Sequence, residues 1–258
     1  MAISDVLDIY SLKARLWPSL LAGIPLAVGI SALIPGVSFP ASAGVGAAGA
    51  VALMFLLAQV GRSRGKRLEA ELFKSWGGKP SVRIMRHRDN TIDPQTKQRY
   101  HRNVVAICKD LRMPSAEDEA RDHGAADQAY EAATKCLISK TRDTKKFGLL
   151  FRENVHYGFC RNAWGLKPLG ILCSVLGAAA GGWRIVAALR ASETPPSAAV
   201  AAAALSGLML LLWSVWVWPK WVRVPAEAYA ERLLEASDAL APKRSLPAKA
   251  SNYLNAAD

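Results

Sequence analysis

Residues 16–35 run for twenty positions without a charged side chain, and three more apolar runs follow at 41–60, 168–189 and 198–218. A helix rises ~1.5 Å per residue, so a run of about twenty residues crosses a hydrocarbon core of ~30 Å. A soluble core would interleave apolar and charged residues at helical or strand period, and these runs do not. The expected fold is therefore all-α and integral to a membrane, with four transmembrane helices in two hairpins. Small residues fill parts of the second and third runs: Gly44 with Ala48, Gly46 with Ala50, and the stretch from Gly177 to Gly182. At four-residue spacing they let helix backbones approach closely. Gly44, Gly46 and Gly49 also spell GxGxxG, but no strand precedes them and they lie inside an apolar run, so packing is preferred to a dinucleotide site.

Between the second and third runs lies a polar block, 61–167. It holds 23 Lys and Arg against 13 Asp and Glu, so +10 of the chain's net +12 falls here. Cytoplasmic loops of membrane proteins carry such an excess. The turn at 36–40 has no Lys or Arg, and the one near 191–197 is flanked only by Arg184 and Arg190. The block and both termini are thus expected on the cytoplasmic side of a bacterial inner membrane. Asp5 and Asp8, without a basic start, argue against a cleavable signal. The expected parts are an N-terminal amphipathic helix (1–15, Ser4 as N-cap), a first hairpin (16–60), a basic helical domain (61–167), a second hairpin (168–221), and a C-terminal helix and disordered tail (222–258).

Leu68, Leu72, Phe73 and Trp76 recur at helical spacing, so the second span and the start of the block can form one rod, ended by Gly77-Gly78. Residues 81–90 suit either a strand or a short helix. Asp93-Pro94 starts a helix reaching about 111, and Ser115 with Asp118 resembles a capping box. Further helices are expected over 125–140, after an interruption at Gly124, and over 145–163. The tryptophans at 213, 216, 218 and 221 read as an interfacial belt.

No catalytic motif is present: the chain has no HExxH, GxSxG, P-loop or paired CxxC. No enzyme activity, metal or cofactor is expected. The four cysteines, Cys108, Cys136, Cys160 and Cys173, are read as free thiols in a reducing compartment. The acidic run Glu117, Asp118, Glu119 and Asp122 is read as a solvated first helical turn. No span carries a charge at its centre, which argues against a proton-coupled pump or voltage sensor and leaves open an apolar pore gated by dewetting. Four spans cannot enclose a wide pore, so a channel would be a homo-oligomer, with a tetramer as the working number.

Three basic clusters stand out: Lys79, Arg83, Arg86, His87 and Arg88; Lys97, Arg99, Tyr100, His101 and Arg102; and Lys140, Arg142, Lys145, Lys146 and Arg152. Arginine forks suit phosphate, and Trp76, Tyr100, Phe147, Phe151 and Tyr157 lie near enough in sequence to stack bases. The candidate ligand-binding residues are Arg83, Arg86, Arg88, Arg99, Tyr100 and Arg102. The simpler alternative is charge that sets topology and touches anionic lipid, which covers Arg62, Arg64, Lys66 and Arg67.

The segments Trp76-Gly77-Gly78-Lys79-Pro80, Arg86-His87-Arg88-Asp89-Asn90, Lys97-Gln98-Arg99-Tyr100-His101 and Arg152-Glu153-Asn154-Val155-His156-Tyr157-Gly158-Phe159 resemble a family of bacterial four-span membrane proteins. In layout the chain is similar to the membrane channel effectors of the Hailong anti-phage defence systems. That resemblance implies a ligand-gated ion channel, with a short single-stranded oligonucleotide made by a nucleotidyltransferase partner as the ligand. The alternatives are a scaffold or regulatory protein whose basic face holds anionic lipid or a protein partner, and a membrane enzyme built on scattered residues such as His87, Asp89 or His156.

Overall fold

A computed structural model describes residues 9–34 and 43–242, the side chains of 43–48 and 50 excepted. Ser4, the turn at 36–40 and the tail beyond 242 lie outside the described residues. Within them the chain is all-helical, without strands. Helix α1 spans Ile9–Leu33 and contains a π-helical turn at Leu12–Leu16. It is followed by α2 (Ala43–Ser75), α3 (Pro80–Arg83), α4 (Pro94–Ile107), α5 (Ala116–Arg121), α6 (His123–Lys140), α7 (Gly148–Arg190), α8 (Ser197–Val215) and α9 (Pro219–Leu240). Three of these, α1, α7 and α8, are long and apolar enough to cross a membrane, which makes the chain membrane-embedded by length and composition.

The chain divides into two compact units. One combines Met1–Lys79 with Phe151–Tyr229, the other Pro80–Leu150 with Ala230–Asp258. The division therefore runs through the basic block, whose flanks, 61–79 and 151–167, go with the apolar helices.

In the first unit α7 is the helix on which the others rest, and its glycines are the reason. A Cβ at Gly177 would lie 2.2 Å from the Pro25 carbonyl oxygen of α1 and 2.5 Å from Ser206 Oγ of α8. A Cβ at Gly170 would meet the Trp213 ring at 2.3 Å, and one at Gly165 would meet the Gly65 nitrogen of α2 at 2.5 Å. No side chain fits such gaps, so three helices reach α7 at backbone distance. The small stretch of the third apolar run thus packs as its spacing predicts. Gly49 of the second run has nothing within 4 Å. Trp213 is buried against Gly170 and is not part of an interfacial belt, whereas Trp216 and Trp218 are exposed.

A polar lock joins α2 to α7 beyond the apolar stretch. Glu69 of α2 accepts from Tyr157 Oη at 2.5 Å and Arg161 Nη1 at 3.0 Å, both on α7, and from Lys66. Asn162 Nδ2, also on α7, donates to Ala14 O inside the π turn of α1 at 2.7 Å. The continuous rod expected from the second apolar run into the block is α2. Beyond its end Gly77 and Gly78 take φ of 80° and 133°, and Gly78 N donates to Phe73 O at 2.8 Å. Only glycine adopts such angles cheaply, which explains the stop.

In the second unit the helix starts follow the sequence signals. Asp93 accepts from Thr96 N at 2.9 Å, and Ser115 with Asp118 forms a full capping box. The interruption expected at Gly124 falls instead at Asp122, which caps α6 by accepting from Ala125 N. Residues 80–83 form the short helix α3, which decides the ambiguity over 81–90. The cysteine reading needs correction. Cys108 and Cys136 form a disulfide, while Cys160 and Cys173 are free and buried. Helix α4 ends at Ile107 and not near 111, because Cys108 leaves helical geometry where it is tied to α6.

Candidate functional site

The polar centre of the 80–150 unit is the loop from Ile84 to Asp93, which links α3 to α4. Hydrogen bonds to charged side chains hold it from several sides. Glu119 of α5 is only 3% exposed and accepts from His87 N at 2.7 Å, Arg88 N at 3.4 Å and Tyr130 Oη at 2.7 Å. Lys97 of α4 is buried and donates to the carbonyl oxygens of Arg86 (2.6 Å) and Asp89. His101, one turn further on, donates from Nε2 to Met85 O at 2.9 Å, which fixes its tautomer. The His101 ring packs edge-on to His87 at 5.0 Å and beside Tyr130 at 5.8 Å.

These environments set the charges. Burial works to raise the Glu119 carboxyl, but the donors Tyr130, His87 and Arg88 outweigh it and hold it below its ordinary value. Asp89 is held low in the same way by Thr91, Arg83 and Lys97 against its own burial. Burial pulls the Lys97 ammonium down against the attraction of Asp89 and Glu119. Burial pushes the His101 imidazole down to about 4, so it is neutral at pH 7. The acidic run is therefore not wholly solvated: Glu119 is the buried anchor of the loop, although Asp118 keeps its capping role.

The candidate ligand residues occupy different surroundings. Arg83 pairs with Asp89 at 2.7 Å, and Arg86 grips Asp127 of α6 with two bonds of 2.8 Å. Arg88 is 43% exposed and lies 3.8 Å from Glu119. Arg99 bonds to Asp238 of α9 at 3.2 Å and lies over the Tyr100 ring, 5.3 Å from its centroid. Arg102 is exposed and makes no ion pair with a described residue. Loop and helix thus bring Arg83, Arg86 and Arg88 onto acids of their own unit, while Arg99 and Arg102 share the outer face of α4. Tyr100, Trp76, Phe147 and Tyr157 are buried, which removes them from base stacking: an aromatic in a core has no free face.

A cleft of 320 Å³ opens beside the loop, lined by His87, Asp89, Asn90, Gln95, Lys97 and Gln98. Its walls mix amides, a histidine and the Asp89 carboxylate with the apolar Ile92 and Pro94, and the Lys97 ammonium is already bonded to Arg86 O and Asp89 O, so the cleft shows no preference for an anion. Along α4, Gln95, Gln98, Arg99 and Arg102 form one exposed stripe. At the far edge Asp238 Oδ1 is held by Asn103 Nδ2 at 2.7 Å as well as by Arg99.

Glu119 and Asp127 are not expected from the sequence as partners of the basic clusters, Lys97 is expected only as a member of one, and Asp238 is not singled out there. One signal for the first two was present: the basic segment 83–102 is followed by an acidic one, 117–127, and opposite charges in one small unit pair. Lys97 and Asp238 carry no comparable signal. No group of three His, Cys, Asp or Glu among the described residues is placed to hold a metal ion. Compared with known protein families, curated proteins and solved structures, the chain matches none, so its function is argued from the arrangement of its residues.

Proposed function

We propose that this chain is a membrane effector of bacterial anti-phage defence: a homo-oligomeric ion channel gated by an anionic nucleotide or short single-stranded oligonucleotide on the outer face of α4. The observation that carries the ligand site is Asp238. Its carboxylate rests on Arg99 and Asn103 next to the exposed Arg102, so this face already holds an anion. Both partners of the Arg99–Asp238 pair are partly exposed, 48% and 39%, so the contact is exchangeable in water. A ligand phosphate takes the place of Asp238 and frees the last turn of α9, a helix whose other end starts four residues after α8.

The channel part rests on the layout and on the resemblance described above. The first half of α2, charge-free from 43 to 60, supplies a fourth span beside α1, α7 and α8. Gly182 and Gly207 have nothing within 4 Å, as does Gly49, and such open small positions suit packing between copies. The charge bias supports a basic unit and both termini on the cytoplasmic side of the inner membrane.

The test is binding of a labelled single-stranded DNA oligomer to the full chain in nanodiscs across a salt series, with bilayer conductance in parallel. Affinity should fall with salt by a log–log slope of about 0.7 per phosphate contacted. Arg99→Gln with Arg102→Gln should weaken binding and flatten that slope, and Asp238→Asn should tighten it. Salt-insensitive binding, or no conductance change with ligand, would sink the reading. One observation favours the scaffold alternative: Arg83 and Arg86 are engaged with acids, while Arg62 and Arg67 of α2 are exposed near the apolar stretch, where anionic lipid lies.

A further inference from the structure

A groove of 390 Å³ lies in the apolar unit between the start of α1 and the first turns of α7. Each wall is one helix face. On α1 the face is Ile9, Lys13 and Trp17, spaced by four residues; on α7 it is Arg152, Val155, His156 and Phe159. Both walls therefore combine apolar bodies with a cation. Ile9 is 61% and Trp17 48% exposed, so large apolar side chains stand uncovered at the charged end of an apolar helix. Lys13, Arg152 and His156 make no hydrogen bond or ion pair with another described residue.

We infer that this groove is a binding site for one anionic phospholipid. Lys13 and Arg152 hold the headgroup phosphate from opposite walls, and an acyl chain runs over Trp17 and Phe159. Two things on the molecule select a lipid over other occupants. The groove is continuous with the charge-free run that opens at Leu16, so it sits at headgroup depth when α1 is embedded. Its chemistry is also split, with cations at the rim and hydrocarbon within, the complement of an anionic lipid. Trp17 marks the same level, since indoles favour the interface. The π turn at Leu12–Leu16 lies between Ile9 and Trp17 on this wall. The inference needs only that α1 is membrane-embedded, and it stands or falls apart from the channel reading.

The test is native mass spectrometry of the full chain released from nanodiscs of mixed phosphatidylglycerol and phosphatidylcholine. The wild type should retain one phosphatidylglycerol. Lys13→Gln with Arg152→Gln should reduce retention by about tenfold or more. Val155→Trp, which fills the groove but keeps its charge, should reduce it as well. Should the charge variant fail to elute as a monodisperse species, the Val155→Trp result decides. Arg112→Gln with Arg121→Gln, exposed arginines of the 80–150 unit, should leave retention unchanged. Three outcomes overturn the site: equal retention of both lipids, an equal loss in the Arg112 and Arg121 variant, or a groove that holds no lipid because residues 1–8 of the chain cover it. The last is read from lipid binding that appears only when those residues are removed.

Discussion

Glu69 and Glu119 are both buried carboxylates, and each accepts from a tyrosine hydroxyl, Tyr157 at 2.5 Å and Tyr130 at 2.7 Å. Burial works to raise both, and in both the donors win and hold the carboxyl low. Their remaining partners differ. Glu69 takes side-chain cations, Lys66 and Arg161, and so ties one long helix to another. Glu119 takes the backbone N–H groups of His87 and Arg88, and so fixes the path of a loop. A helix needs no help with its own backbone bonds, so a buried charge between helices sets only their register. A loop lacks internal partners, so a buried charge beside it determines whether it has one conformation at all. The apolar unit is held by close packing with a polar lock at one end; the 80–150 unit adds to a small apolar core, with Ile84, Val104 and Leu137 fully buried, a loop fixed from within by polar bonds.

The sharpest break in this comparison is to remove each carboxylate. Glu69→Ala leaves Arg161 buried without its anion and should cost about 3–5 kcal/mol in thermal unfolding of the full chain. Glu119→Ala should cost about 2–3 kcal/mol, the desolvation of the donors it leaves unpaired. Hydrogen exchange separates the two: only Glu119→Ala should speed exchange over residues 84–92. If Glu69→Ala does so equally, the two units unfold as one and the contrast fails.

The disulfide comes next. It closes a segment of 28 residues between α4 and α6, so Cys108→Ser should destabilise the 80–150 unit by about 3 kcal/mol and leave the apolar unit alone. Alkylation of the denatured, unreduced protein should label Cys160 and Cys173 only. Labelling of all four would mean that Cys108 and Cys136 are thiols, the state ordinary for a unit on the cytoplasmic side.

The smallest effect is with pH. An unfolded histidine takes up a proton near pH 6.5, but His101 resists until about 4. The unfolded chain therefore binds more protons as pH falls through that window, and the 80–150 unit should lose about 2 kcal/mol by pH 5, with no loss above pH 7. His101→Gln, which can still donate to Met85 O, should flatten the profile. A wild-type profile that is already flat would mean that His101 is not sealed from water.

Much of the helical layout was legible because it rests on local signals. Length and absence of charge marked α1, α7 and α8; Asp93-Pro94 and Ser115-Asp118 marked two helix starts; Gly77-Gly78 marked a stop. The candidate site was less legible for a physical reason. An arginine count records how much positive charge a segment carries, not which acids fold back onto it. Arg83, Arg86 and Arg99 meet partners 6, 41 and 139 residues away, and spacing carries no trace of the last two. The buried tyrosines and Trp76 misled in the same way, since an aromatic near a cation in sequence can equally be core. The disulfide has no mark in the sequence: Cys108 and Cys136 lie 28 residues apart in no paired motif, and the basic charge around them points to a reducing compartment.

The π turn of α1 has a consequence for how that helix can vary in length. Tyr10 faces Gly158 and Gly29 faces Gly177, both on α7. A π turn holds one residue more than an α turn, so the helix carries a spare residue between its two points of attachment. A chain one residue shorter within 12–16 can close the turn to ordinary α-geometry without breaking the helix, and what it gives up is the bond from Asn162 to Ala14 O inside that turn.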